Sequence, residues 1–212
     1  MNKLKLALTK GRLQDKSVEL FEKMGLDCSQ IKNPGRRLLL TVPNYDLDIV
    51  LAKATDVITY VEHGICDLGI VGKDTILESK QNFYEVLDLG FGKCRFVLAT
   101  QTGENFYENY QNRCIATKYP EVTKEYFTKK GMDVSIIKLE GSVELAPVLG
   151  LSNAIVDLVE TGNTLKENGL EAIEDLYQIS ARLIVNTASM KMRKKEILDF
   201  IKKCDAFGGK ND

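Results

Sequence analysis

Two stretches of this 212-residue chain repeat one plan, and that repetition restricts the fold more than any other feature. VEHGICDLGIVGKDTI, beginning at Val61, and VELAPVLGLSNAIVDLVETGNTL, beginning at Val143, each run from a helix ending in glycine into an apolar strand. Each strand then gives way to a polar, glycine-bearing loop and to a threonine followed by an aliphatic residue. Strand-loop-helix units of this kind build open α/β sheets, whose ligands bind beyond the carboxyl ends of the strands. Two copies therefore predict two lobes, each presenting one loop, with a ligand cleft between them. The expected lobes are residues 1–90 with 179–212, and residues 91–178.

The hydrophobic pattern fills in this frame. Strands are expected at 4–8, 38–42, 47–51, 66–71, 84–89, 94–100, 114–117, 134–139 and 154–159. A return strand at 177–185 should pair with the outgoing one. Helices are expected at about 12–24, 54–63 and 121–130, each closed by a glycine. Residues 190–207 read as one basic amphipathic helix whose Met192, Ile197, Leu198 and Ile201 form a core face. The polar stretch 102–111 reads as an exposed connection and 208–212 as a flexible end.

Composition narrows the function classes. The chain carries 29 basic and 30 acidic residues for a net charge of −1, so no general nucleic-acid or membrane surface is expected. LKLAL enters a strand pattern directly, without the apolar region of a signal peptide, and no run approaches the roughly 18 apolar residues of a membrane span. A cytoplasmic protein is expected. Five cysteines are scattered without a CxxC pair and the chain has one histidine, which argues against zinc or a disulfide framework.

The chemistry concentrates after the second repeated strand. Residues 154–159 deliver Asp157 near the strand's carboxyl end, and Glu160, Thr161, Gly162, Asn163 and Thr164 follow just before a short helix. Two hydroxyls, an amide and a glycine able to take positive φ suit a phosphate, which backbone N–H groups and the helix dipole can hold without a lysine. The same composition also fits a plain turn with Thr or Asn as the helix N-cap. In the other lobe, Lys10, Gly11 and Arg12 form a cationic strand-helix junction, and cations beside a helix N-terminus are unfavourable unless an anion is present. Arg36 and Arg37 follow the turn signal Asn33-Pro34-Gly35, and a guanidinium pair there can reach a pyrophosphate bidentately. Gly72-Lys73 is not a nucleotide-binding P-loop, because Asp67 and Asp74 stand where that motif needs glycine and a hydroxyl residue. His63 reads as a helix-end residue.

Glu144, Gly150, Ser152, Ile155, Asp157, Leu158, Thr161, Gly162, Thr164 and Leu165 fall at the spacing of one known signature. On these residues the chain resembles ATP phosphoribosyltransferase. TKGR, TYVEHG, GIVGKD, ATKYP and RLIVN extend the resemblance along nearly the whole chain. It implies the short form of that family, with two lobes like a type II periplasmic-binding-protein fold. It also implies transfer of phosphoribose from phosphoribosyl pyrophosphate to N1 of the ATP adenine, the first step of histidine biosynthesis. By this resemblance Glu144, Asp157, Glu160, Thr161, Gly162, Asn163 and Thr164 bind phosphoribosyl pyrophosphate, while Lys10, Gly11, Arg12, Gly72 and Lys118 bind ATP. Arg12, Arg36, Arg37 and Asp157 carry the catalytic charge, and Mg²⁺ arrives on the substrate with no protein side chain assigned to it. The implied partners are a second copy of the chain and a regulatory subunit similar to histidyl-tRNA synthetase. Two other classes stay open on the residues alone. One is a small-anion-binding module without catalysis. The other is a glycosyl-transferring or hydrolysing enzyme using Glu144 and Asp157 as a carboxylate pair.

Overall fold

The computed structural model describes residues 3–79, 82–108 and 113–208. In chain order the elements are β1 (Leu4–Thr9), α1 (Arg12–Lys23), α2 (Ser29–Lys32), β2 (Leu39–Val42), β3 (Leu47–Ala52), α3 (Ala54–Glu62), β4 (Leu68–Gly72), α4 (Lys73–Glu78) and β5 (Tyr84–Asp88). They continue with β6 (Cys94–Gln101), β7 (Cys114–Thr117), α5 (Pro120–Lys129), β8 (Ser135–Lys138), α6 (Leu145–Val148), β9 (Ala154–Val159), α7 (Asn163–Glu167) and β10 (Leu170–Ile179). The chain ends with β11 (Ala181–Val185), α8 (Thr187–Met192) and α9 (Lys194–Phe207). It divides into two compact units, Met1–Gly92 with Ser180–Asp212, and Lys93–Ile179.

The first unit holds a six-stranded sheet in the order β2-β3-β1-β4-β11-β5. Its centre is parallel, with β1 between β3 and β4, while β2 and β11 run antiparallel to their neighbours. Leu6 and Leu8 face one side of the sheet with Ile49, Phe21 and Phe200; Ala7 faces the other with Val57, Val61 and Ile184. Both faces are therefore covered, which explains why β4 is apolar throughout instead of alternating. Gly69 makes the second contact possible: a Cβ there would stand 2.8 Å from Val61, 2.9 Å from Val57 and 3.0 Å from Ile184. Gly69→Ala should accordingly lower unfolding free energy by about 1–3 kcal/mol through overpacking. Denaturant titration checks this, and an unchanged midpoint would refute the packing argument.

The second unit holds a five-stranded sheet in the order β10-β6-β9-β7-β8. β9 is central, antiparallel to β6 and parallel to β7, so its side chains are buried up to Val156 and open partly at Asp157 and Leu158. Val97, Ala99, Ile155, Val159 and Leu165 form the core beneath the loop that follows.

Two expectations need correction. The return strand is two strands: β10 begins at Leu170 and pairs with β6, Ser180 separates it from β11, and β11 pairs with β4 and β5 in the other sheet. Register shifts at Ala172/Glu174 and Asp175/Tyr177 break the period-two pattern that would have marked the first half of β10. The terminal helix is also two, divided at Arg193 (φ −122°, ψ 30°), where the guanidinium donates to the Lys3 carbonyl at 3.0 Å and to Asp67 at 3.1 Å. Met192 consequently lies on α8 and is 77% exposed, whereas Ile197 is buried on α9. The connection after β6 is exposed over most of its described length, as expected, with Phe106 buried 6.0 Å from the Phe127 ring and the Tyr107 hydroxyl donating to Glu174. Residues 109–111 of that connection and 209–212 of the expected flexible end lie outside the described residues.

Candidate functional site

Register places the first unit's cations together. Thr9, the last residue of β1, pairs with Ala52 at the end of β3, and Lys10 N–H donates to the Ala52 carbonyl at 3.0 Å. β4 runs parallel to β1, with Leu8 opposite Ile70, so Gly72 reaches the same sheet edge as Lys10. β2 runs against β3, and Leu51 N–H bonds the Leu38 carbonyl at 2.8 Å, which puts Arg36 and Arg37 at that edge as well. Lys10, Gly11, Arg12, Arg36, Arg37 and Gly72 thus share the edge where β1, β3 and β4 end, the position at which open α/β sheets bind ligands. Gly11 (φ 85°, ψ −142°) is the N-cap of α1 and no side chain caps it. Its backbone conformation is one that only glycine adopts readily.

Gly72 is fixed by a different constraint. A Cβ there would lie 2.0 Å from an Asp74 carboxylate oxygen, so the acid folds directly over the start of α4. The first copy of the repeated loop is therefore covered by its own negative charge, which disfavours a phosphate. Lys73 Nζ turns away to Glu85 at 2.5 Å; Glu85 also faces Arg182 at 3.5 Å, and Arg182 pairs with Asp88 at 2.9 Å. This brace escaped the sequence because its members lie up to 109 positions apart and share no local pattern.

The second copy is built differently. β9 ends at Val159, the loop turns at Gly162 (φ 82°, ψ 5°), and α7 starts at Asn163. Gly162 itself occupies the N-cap position, with no side-chain capping bond, so the plain-turn reading with Thr or Asn as the cap does not apply. Asn163 N–H donates to Thr161 Oγ1 at 3.4 Å. The other N–H groups of a helix's first turn have no intrahelical acceptor and are directed outward from its start. Glu144, Asp157, Glu160, Thr161, Gly162 and Thr164 line one concavity of about 280 Å³ here. That is just below the roughly 300–1,000 Å³ of complete small-molecule sites, so it suits part of a ligand.

Three carboxylates on one concavity make its electrostatics demanding. Burial pushes the Asp157 carboxyl up to about 6, and Glu144 adds in the same direction. A hydrogen bond from the Leu158 backbone and the charge of Lys118 oppose them. Lys118 stands on the turn between β7 and α5 and is exposed. Among the described residues no three of His, Cys, Asp or Glu converge to hold a metal. The five cysteines are free thiols, and His63 is the C-cap residue of α3. Among the described residues no helix is long and apolar enough to cross a membrane.

Comparison with known proteins adds an independent line. A family model described as ATP phosphoribosyltransferase matches residues 53–206. The ATP phosphoribosyltransferase of Clostridium kluyveri is 60% identical over 201 residues, covering 95% of this chain and 92% of the relative. The structure described as the ATP phosphoribosyl transferase (HisG:HisZ) complex from Thermotoga maritima superposes with a TM-score of 0.80 at 35% identity, covering 96% of this chain and 98% of that one. The periplasmic aliphatic sulphonate binding protein SsuA of Escherichia coli superposes with a TM-score of 0.58 at 11% identity, covering 95% of this chain and 70% of that one, a likeness of fold alone.

Proposed function

Because the chain belongs to the ATP phosphoribosyltransferase family, we propose that it joins the phosphoribosyl group of phosphoribosyl pyrophosphate to N1 of the ATP adenine and releases pyrophosphate. This is the first step of histidine biosynthesis. The observation that carries the reading is the contrast between the two repeated loops. One is covered by Asp74; the other offers a glycine-capped helix start beside Asp157 in a concavity of part-ligand size.

In this mechanism Thr161, Gly162, Asn163 and Thr164 hold the 5′-phosphate through hydroxyls and backbone N–H groups. Glu160 borders the same loop, and Glu144 and Asp157 take the ribose hydroxyls. Adenine N1 already carries a lone pair, so the protein's work is alignment and charge stabilisation rather than proton abstraction. The C1–pyrophosphate bond breaks as the N1–C1 bond forms, and both electrons of the broken bond leave with pyrophosphate. Asp157 faces the positive character that develops on the sugar, while Arg12, Arg36 and Arg37 face the negative charge on the leaving group. Lys10, Gly11, Arg12, Gly72 and Lys118 bind ATP, Gly72 at the sheet edge that it shares with Lys10. Mg²⁺ would arrive with the substrate and would offset the carboxylates that line the site.

The Thermotoga maritima relative was solved as a complex of two kinds of subunit. That supports a second kind of subunit for this chain, which in this reading works as a homodimer joined to a histidyl-tRNA-synthetase-like regulatory subunit, in the cytoplasm. The loop assignment has a direct test. Thr161→Val and Thr164→Val should each raise KM for phosphoribosyl pyrophosphate about tenfold, the scale of one hydrogen bond to a charged group, and leave ATP affinity within twofold. An equal loss for both substrates would contradict it.

A further inference from the structure

We propose that Thr117 is a positioning residue for the sugar-phosphate site, its single buried hydroxyl fixing the Lys118 backbone against the strand that carries Asp157. The inference rests on the reading of that site as the one for phosphoribosyl pyrophosphate.

Thr117 is the last residue of β7 and is completely buried. Its hydroxyl donates to the Val156 carbonyl at 2.7 Å and accepts from Tyr119 N–H at 2.9 Å. Val156 immediately precedes Asp157, and Lys118 lies between Thr117 and Tyr119. One oxygen therefore joins the backbone just before the carboxylate to the backbone just after the cation. Thr117 and Val156 are also the last paired residues of the β7–β9 ladder, so the side chain continues the tie where main-chain pairing stops.

Tyr119 is held from other directions too. Its ring meets Phe96 edge-on at 4.8 Å, and its carbonyl accepts from Thr123 N–H at 3.1 Å and Thr123 Oγ1 at 2.8 Å. Lys118 thus projects from a backbone anchored on both sides, although its own side chain is exposed. The charged groups acting on Asp157 are Glu144 from the start of α6 and Lys118 from this turn, and Glu160 from the following loop lines the same concavity. Lys118 is the group among them that favours the ionised carboxylate. A valine at 117 would keep the volume and remove both bonds, releasing the turn and leaving two polar backbone groups without this partner.

The test compares Thr117→Val, Thr117→Ser and Lys118→Met in the full chain with its regulatory subunit, assayed at least 10 °C below each thermal midpoint. Two quantities are read: kcat/KM for phosphoribosyl pyrophosphate, and the Asp157 carboxyl titration followed by ¹³C NMR without substrate. Thr117→Val should lower kcat/KM at least tenfold and move the Asp157 midpoint upward; Thr117→Ser should restore both. Lys118→Met should reproduce the NMR shift, and the double variant should add little to either single one. If Thr117→Val does not fold, Thr117→Ala, which also lacks the hydroxyl, is read through the same two quantities. A lower thermal midpoint with unchanged kcat/KM and an unchanged Asp157 titration would overturn the proposal. Absence of turnover in the unsubstituted chain would count against the enzyme reading instead, and the NMR arm would still decide the role of Thr117.

Discussion

Asp157→Asn should make the protein more stable at pH 7.5 while lowering kcat for phosphoribosyl transfer about 100-fold, the scale of a lost transition-state charge contact. The stability half follows from the raised carboxyl. Unfolded, Asp157 titrates near the ordinary 3.8; folded, burial first and Glu144 next push it up to about 6. Between these two values the folded state binds the proton more tightly than the unfolded state does. Stability contributed by this group is therefore greatest below about pH 4 and falls as pH rises towards 6. The difference between 3.8 and about 6 corresponds to about 2–3 kcal/mol that the ionised side chain costs above pH 6. Asparagine has no charge to desolvate, so the variant's thermal midpoint should exceed the wild-type value at pH 7.5 by roughly 2–4 °C per kcal/mol. That advantage should shrink to nothing near pH 4. A protein keeps such an expensive acid only where activity requires it. Thermal melts from pH 4 to 8 beside steady-state kinetics test both halves. Wild-type activity in the variant would remove Asp157 from the site, and a destabilised variant at pH 7.5 would contradict the electrostatic account.

Gly162→Val should abolish useful binding of phosphoribosyl pyrophosphate, raising its KM about 100-fold, with little change in global stability. There is room for a side chain, since a Cβ at this position would meet only Val159 at 3.8 Å. The obstacle is the backbone: φ of 82° lies in the left-handed region, which costs an L-residue roughly 1–2 kcal/mol and a β-branched one more. The loop will relieve that strain by rotating, and rotation re-aims the N–H groups at the start of α7. Asparagine tolerates this conformation better, so Gly162→Asn should keep KM within about tenfold of wild type. Circular dichroism and a denaturant midpoint confirm folding while kinetics report the loop. A Gly162→Val enzyme with unaltered KM would show that loop geometry does not govern this substrate.

The difference between these loops and the rest of the chain explains what the sequence disclosed. β9, the glycine turn and α7 are contiguous, so strand pattern, turn chemistry and helix start could be read from one short window. The cationic edge of the first unit was only partly legible. Lys10 and Arg12 announced themselves beside Gly11, but bringing Arg36 and Arg37 to the same edge required the antiparallel register of β2 on β3. β10 hid its beginning because Glu171, Glu174 and Asp175 interrupt the apolar pattern and two register shifts break its period. The break between α8 and α9 has no glycine or proline to mark it; Arg193 is drawn out by Lys3 and Asp67, far away in sequence. The raised carboxyl of Asp157 and the double role of the Thr117 hydroxyl depend on three-dimensional neighbours. Local propensity carries no trace of either. Glu144 and Asp157 were brought together by the resemblance and by the carboxylate-pair reading, not by local pattern, since Glu144 stands at the start of a one-turn helix 13 residues before Asp157.

The most direct measurement mixes the purified chain with ATP, phosphoribosyl pyrophosphate and Mg²⁺, with and without the histidyl-tRNA-synthetase-like subunit, and identifies products by mass spectrometry. The account predicts phosphoribosyl-ATP and pyrophosphate in equal amounts, both lost on chelation of Mg²⁺ and both sharply reduced in Asp157→Asn. Binding of phosphoribosyl pyrophosphate without either product, even with the second subunit present, would contradict the enzyme reading and leave a small-anion-binding module in its place.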